Sequence, residues 1–237
     1  MSLTESSFMP QSRSYAAFLF DMDGTLLNSI PSAIRAWTRF AQRHDLPVEH
    51  VLSIMHGVRA IETIRRLAPA GVDPVAEAEA LTQDEIADVG DVVEIPGAAA
   101  MLATLPPDRW ALVTSAPRAL ARARLAAAGL PFPAHSVTAD DVSRGKPAPD
   151  AFLLGARHLG VDPADCLVWE DTIAGITAAE AAGADVIAVT ATHAAPMATP
   201  HATITDYRTL SVTQDADGRL MLHFDQKSEG VEGAVEP

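Results

Sequence analysis

The sequence predicts an α/β fold: a parallel sheet with helices on both faces, and a small all-helical segment inserted after the first strand. Three observations carry this. Short apolar runs ended by polar or small residues recur at 16–20, 110–114, 135–138, 166–169 and 185–189. Alanine-rich helical stretches at 117–128, 149–159 and 173–182 separate the later runs, and such alternation is the pattern of a parallel sheet. Between 29 and 94 the alternation stops, with few strand signals and several helical ones.

The first run, Ala16-Ala17-Phe18-Leu19-Phe20, reads as a short buried strand bounded by turn chemistry. It leads into Asp21-Met22-Asp23-Gly24-Thr25-Leu26. Two carboxylates two residues apart then stand at a strand's C-terminal end, where open α/β sheets place ligands. Gly24 permits a sharp turn and close approach of a ligand to the backbone. One such carboxylate can attack phosphorus while the other moves a proton. Taken alone, the same residues also read as an Asp-Gly turn carrying surface acids.

The insertion opens with Pro31, suited to a helix start before Ser32-Ala33-Ile34-Arg35-Ala36-Trp37. Residues 75–87 are rich in alanine and glutamate and also read as helix. Pro96-Gly97 marks the exit. The predicted division is therefore a core over 15–28 and 95–225, a helical segment over 29–94, and loose termini over 1–14 and 226–237.

Three further junctions carry polar residues. Trp110-Ala111-Leu112-Val113-Thr114 ends at Ser115, and Ala116-Pro117 opens a helix. A hydroxyl there, with free backbone N–H groups behind it, can hold an anion; it can equally be a helix N-cap. Gly145-Lys146-Pro147-Ala148-Pro149-Asp150 puts a lysine in a turn restricted by two prolines. Its ammonium could neutralise a phosphoryl group, or be a solvated loop charge. Glu170-Asp171 follows the run 166–169, with Thr172 and Gly175 next. Acids at a strand end suit a hard cation such as Mg²⁺, which takes oxygen ligands; Asp171 could instead cap the following helix. Near the C-terminus, Leu210-Ser211-Val212-Thr213 and the run 219–224 flank Asp215-Ala216-Asp217-Gly218 and read as a hairpin.

Composition narrows the partners. A length of 237 residues can bury a full core, and a formal charge of −14 argues against nucleic acid or an anionic membrane. An acidic chain that handles phosphate needs a local positive site or a metal ion. No apolar segment approaches the ~20 residues needed to span a bilayer. The single cysteine, Cys166, excludes an internal disulfide framework and fits a reducing cytoplasm. It begins an apolar run and reads as a buried structural thiol.

A carboxylate pair, a hydroxyl, a lysine and an acidic pair thus fall in order at successive strand ends. This combination resembles the haloacid dehalogenase superfamily of phosphotransferases over roughly residues 16–224. The resemblance implies a Rossmann-like core and a helical cap, and assigns roles. Asp21 is the nucleophile that forms an aspartyl-phosphate, and Asp23 protonates the leaving alcohol and then activates water. Ser115 and the Ala116 N–H hold phosphoryl oxygens, and Lys146 neutralises developing charge. Asp21, the Asp23 carbonyl, Asp171 and Glu170 position Mg²⁺. Closure of the cap would exclude bulk water.

Within the superfamily, the acid at Asp23 favours phosphate chemistry over dehalogenation. Lys146 and Lys227 are the only lysines, so the cap lysine of phosphonate hydrolases has no counterpart. The chain is most similar to sugar- and polyol-phosphate phosphatases of the glycerol-phosphate and 2-deoxyglucose-6-phosphate type. The shared residues are His56-Gly57-Val58-Arg59, Ile95-Pro96-Gly97, the run 110–115, and Thr138-Ala139-Asp140-Asp141-Val142. The expected partner is a small phosphorylated metabolite, handled by a monomer or weak homo-oligomer. Arg59 is a candidate substrate contact at the cap edge, or a solvated helix arginine. A β-phosphoglucomutase-like enzyme is the alternative. Its Ser-Lys-Asn phosphate anchor is replaced here by Pro117-Arg118-Ala119, of which Arg118 alone could still bind phosphate. A phospho-binding regulatory module is the non-enzyme alternative; such modules are shorter and lack the helical insertion.

Overall fold

The computed structural model describes residues 13–224. Six strands form a parallel sheet: β2 (Ala17–Phe20), β5 (Trp110–Val113), β6 (Ser136–Val137), β7 (Cys166–Glu170), β8 (Asp185–Val189) and β9 (Ala202–Ile204), all following β1 (Ser14–Tyr15) in the chain. Their order across the sheet is β6-β5-β2-β7-β8-β9. The three strands that lead into Asp21, Thr114 and Asp171 are therefore neighbours at its centre, with Phe20 opposite Leu112 and Trp169.

Side chains alternate faces along each strand and so build two cores. Phe18 and Phe20 join Trp110, Leu112 and Trp169 on one face, packed against α5 (Ala98–Thr104) and α6 (Arg118–Ala127). Ala17 and Leu19 join Ala111, Val113 and Val168 on the other, under α7 (Asp150–Leu159) and α8 (Ile173–Ala182). Helices thus cover both faces, as the alternating pattern requires. Gly160 and Gly183 end α7 and α8 in the left-handed conformation. Cys166 is fully buried, and burial pushes its thiol up to about 12, so it packs as an inert apolar group.

The segment after β2 leaves through β3 (Leu27–Asn28) and returns through β4 (Val93–Glu94), which pair antiparallel. Between them lie α1 (Ile30–Arg43), α2 (Val48–Ile54), α3 (Ala60–Leu67) and α4 (Pro74–Ile86). They share a core of their own, with Trp37, Phe40, Val51, Ile64 and Leu81 buried. Arg35 reaches Asp88 and Asp91, and Arg43 reaches Glu77 and Asp84, pinning α1 alongside α4. The C-terminal hairpin is formed by β10 (Leu210–Gln214) and β11 (Leu220–Phe224).

Four features depart from the expected layout. Arg13 and Ser14 do not belong to a loose arm. Ser14 pairs with Met221 on β11, and Arg13 lies 2.8 Å from Asp185. The rest of the predicted arms, 1–12 and 226–237, falls outside the described residues. The edge strand β9 and the two-residue pair β3–β4 were not expected, and neither was α5. Among the described residues, no helix is long and apolar enough to cross a membrane.

Candidate active site

The site begins with the packing beneath it. Phe20 stacks on Trp169 at 5.4 Å, and both rings contact Tyr207. Asp21 and Glu170 are the next residues along their strands, so this aromatic layer fixes both backbones. The Tyr207 hydroxyl donates to the Thr25 carbonyl at 3.2 Å and pins the turn after Asp21. In that turn, the Met22 carbonyl accepts from the N–H groups of Leu26 and Leu27.

The strand ends bring four predicted residues into one cluster. Lys146 Nζ donates to Asp21 Oδ1 at 2.5 Å, Glu170 Oε1 at 2.7 Å and the Val113 carbonyl at 3.2 Å. It is 1 % exposed, which rules out a solvated loop charge. Asp21 is buried, so it is no surface turn acid either. Asp171 lies beside them, with Thr25 Oγ1 donating to its Oδ1 at 3.4 Å. It does not cap the next helix, because Thr172 does so by accepting from the Gly175 N–H. Glu170 Oε2 accepts from the Thr172 N–H and hydroxyl.

Three buried carboxylates thus face one ammonium. Burial pushes Asp21 up to about 8, against the attraction of Lys146, and Glu170 and Asp23 add to the rise. Asp171 is also raised, by burial and then by Glu170 and Asp21. For Lys146 burial works against the charge, but Asp21 and Glu170 outweigh it and the net shift is upward. Ligand oxygens of Asp21, Glu170 and Asp171 lie within 4.8 Å of one another. An all-oxygen donor set with surplus buried negative charge fits a hard divalent cation, Mg²⁺ being the natural choice.

Asp23 sits above this cluster. Its Oδ1 accepts from Ser29 Oγ at 2.5 Å and from Arg124 Nη1 at 3.0 Å. Arg124 Nη2 in turn donates to Glu85 Oε1 at 2.8 Å. Neither Arg124 nor Glu85 was a sequence candidate. A signal existed: on α6 Arg124 shares a buried stripe with Leu120, Ala121 and Leu125, and on α4 Glu85 follows buried Leu81 by one turn. A charged residue on an apolar stripe needs a partner.

Ser115 is not the N-cap of α6, which starts after Pro117. Its Oγ donates to the Gly57 carbonyl of the insertion at 3.1 Å, and the Ala116 N–H is engaged by Thr114 Oγ1 at 3.1 Å. Both line one cavity with Asp21, Asp23 and Arg124, while Trp37, His56 and Glu85 close it from the insertion. Burial holds His56 below its usual range, which favours the neutral ring. Arg59 stands elsewhere. Its guanidinium donates to the Val142 and Ser143 carbonyls and to Glu62, and it lines a neighbouring groove that shares Ser115 and Pro117 with that cavity. Arg118 is also engaged, by Asp141 at 2.7 Å and Ser136 Oγ at 2.9 Å.

Fold and site together define a hydrolase with its acidic residues at the ends of parallel strands. The chain belongs to the haloacid dehalogenase-like hydrolases, whose family model matches residues 15–183. It is 42% identical to hexitol phosphatase A of Escherichia coli (strain K12) over 214 residues, covering 86% of this chain and 97% of that one. It is 35% identical to glycerol-1-phosphate phosphohydrolase 2 of Saccharomyces cerevisiae, covering 77% of this chain and 78% of the relative. Among solved structures, a hydrolase from Pseudomonas syringae superposes with a TM-score of 0.60 at 28% identity, over 73% of this chain and 84% of that one.

Proposed function

We propose that this enzyme is a Mg²⁺-dependent phosphatase that hydrolyses a small sugar or polyol phosphate monoester through an aspartyl-phosphate on Asp21. The observation that carries this reading is the buried contact of Lys146 with Asp21 and Glu170 beside Asp171, with Asp23 at the mouth. The names of the hexitol and glycerol-1-phosphate enzymes support the substrate class.

In the first step an Asp21 carboxylate oxygen attacks phosphorus, the bond from phosphorus to the ester oxygen breaks, and Asp23 gives its proton to the departing alkoxide. In the second, water attacks the phosphoryl group and loses a proton to Asp23, the bond to Asp21 breaks, and inorganic phosphate leaves. Lys146 holds Asp21 in place and offsets charge on the transferring group. Ser115 and the Ala116 N–H turn from their present partners to the phosphoryl oxygens. Asp21, Asp171 and the Asp23 carbonyl would hold Mg²⁺, with Glu170 as the counter-charge of Lys146 at its edge. The bound ion supplies positive charge against the phosphoryl oxygens.

The helical insertion acts as a cap, and its Trp37 and His56 bound the space for the alcohol. A mutase must hold a second phosphate, and here Arg118 would first have to leave Asp141 and Ser136. Water therefore receives the phosphoryl group. We place the enzyme in the cytoplasm as a monomer or weak homo-oligomer.

The test is release of inorganic phosphate from hexitol phosphates, glycerol 1-phosphate and β-glucose 1-phosphate, reported as kcat/KM. Asp21→Asn should fold and lose several orders of magnitude. Near-normal turnover by that variant, or glucose 6-phosphate forming faster than free phosphate, would overturn the reading.

A further inference from the structure

Asp23 is tied to both halves of the molecule. Ser29 and Arg124 donate to the same oxygen, Oδ1, which leaves Oδ2 as the oxygen available to a ligand in the cavity. Arg124 belongs to α6 of the core, and its other terminal nitrogen is held by Glu85 on α4 of the insertion. Arg124 and Glu85 are 4 % and 5 % exposed, so this is a desolvated link and no surface pair. Arg124 Nε has no partner among the described residues, a sign that the guanidinium is placed for its two terminal bonds rather than for its own satisfaction.

A carboxylate on a turn can rotate about two side-chain bonds. Two donors on one of its oxygens, Ser29 Oγ and Arg124 Nη1, restrain both, but the arginine does so only if its guanidinium is itself held. Glu85 holds it, and Glu85 comes with the insertion. We infer that Arg124 and Glu85 form a positioning relay that orients Asp23 for proton transfer when the helical insertion is seated on the core, and releases it when the insertion lifts. Seating the insertion then assembles the acid as well as excluding water. This rests on the acid–base reading of Asp23.

The experiment exploits the leaving group. A nitrophenolate departs without a proton, whereas an alkoxide needs one, so a defect acting through Asp23 falls mainly on alkyl esters. The measurement is kcat/KM for glycerol 1-phosphate and for p-nitrophenyl phosphate with saturating Mg²⁺. The enzymes are wild type, Arg124→Lys, Glu85→Gln, Asp23→Asn and the double variant Asp23→Asn/Arg124→Lys. The alkyl-to-aryl ratio should fall by about 100-fold or more in Asp23→Asn, and by about 10- to 100-fold in Arg124→Lys and Glu85→Gln. The double variant should be no worse than Asp23→Asn alone, because a relay has nothing left to position.

Equal losses on both esters in Arg124→Lys and Glu85→Gln would mean a structural ion pair and overturn the inference while the acid–base reading stands. A further drop in the double variant would mean that Arg124 touches the alcohol directly, and would also overturn it. A uniform loss in Asp23→Asn removes the acid–base reading and the relay with it. Thermal melts identify any variant that fails to fold. Glu85→Gln keeps the shape of the side chain and provides the same ratio should Arg124→Lys prove unstable.

Discussion

Lys146 Nζ and Asp21 Oδ1 lie 2.5 Å apart, and neither side chain is open to solvent. The lysine also holds Glu170, so one cation is shared between two carboxylates whose strands are adjacent in the sheet. Removing it would leave both acids buried without a counter-charge. Lys146→Met is therefore expected to cost about 3–5 kcal/mol of stability and roughly 10²- to 10³-fold in kcat. Lys146→Arg should not rescue it, because the larger fork has no room under Asp21. Chemical denaturation and steady-state kinetics on the purified variants check both figures.

The surplus of negative charge gives a pH signature. The folded-state value for Asp21 is about 8, above an unfolded value near 4, and Asp171 is raised in the same direction. Below about pH 4 these groups are protonated in both states and cost nothing. Between about pH 4 and pH 8 the unfolded chain releases protons that the metal-free folded chain retains, so their contribution to stability falls as pH rises. On the proposed function Mg²⁺ would bind the ionised forms and reverse the loss. The rise in Tm on adding Mg²⁺ is expected to grow steadily across this window and then level off. Thermal melts with Mg²⁺ and with EDTA at successive pH values measure it, and a constant or shrinking difference would refute it. Ca²⁺, with longer bonds and more ligands, should restore melting but not turnover.

Two glycines hold the acidic cluster together by what they lack. Gly24 has φ +80°, and a Cβ there would stand 2.0 Å from Asp171 Oδ2. A Cβ at Gly175 would stand 1.7 Å from Glu170 Oε1. Gly24→Ala adds backbone strain of about 1–3 kcal/mol and pushes Asp171 aside. A displacement of that size at a reacting centre costs about 100-fold in kcat. Mg²⁺ titration of Gly24→Ala should show weakened binding as well. Gly175→Ala should act through Glu170 and Lys146 and leave the backbone relaxed.

Arg59 joins the insertion to the loop that carries Lys146, through the carbonyls of Val142 and Ser143. Glu62 accepts from Arg59 and from the Gly145 N–H, so the two side chains act as a clasp. Arg59→Met is expected to lower kcat/KM by about 10-fold, by the loss of charged hydrogen bonds that hold the insertion down. The loss should be the same for every substrate, because the guanidinium is taken up by Glu62 and the Val142 and Ser143 carbonyls. A loss that varies with the alcohol would identify Arg59 as a substrate contact.

The parts that were legible in the sequence are those written in contiguous residues. Each central strand begins as an apolar run and gives way to polar residues at its C-terminal end, so Asp21, Ser115 and Asp171 could be placed at or near strand ends by reading along the chain. The alternating pattern then gathered those ends at one edge. Strand β9 escaped because it is three residues long and only Ile204 is buried. The β3–β4 pair escaped because two residues carry no period. Arg124 and Glu85 meet across 39 positions, and no local pattern encodes such a meeting. Arg59 was found by motif, but its direction depends on how the insertion lies, which only the folded chain fixes.

The antiparallel rungs of Leu27 with Glu94 and Asn28 with Val93 bring the two ends of the insertion together, and the Ile95 N–H closes back on the Leu26 carbonyl. To the sheet, everything between these rungs is the tip of a hairpin. Its length and content can change without shifting the register of any strand that carries the chemistry. On the proposed function the scaffold therefore separates two kinds of inheritance: the groups assigned to the reaction are locked into a shared lattice, while the enclosure proposed to select the alcohol is a replaceable module on two short stems. A chimera that exchanges the module at Asn28 and Val93 should keep the chemistry and acquire the donor's choice of alcohol, provided that it also brings a partner for Arg124.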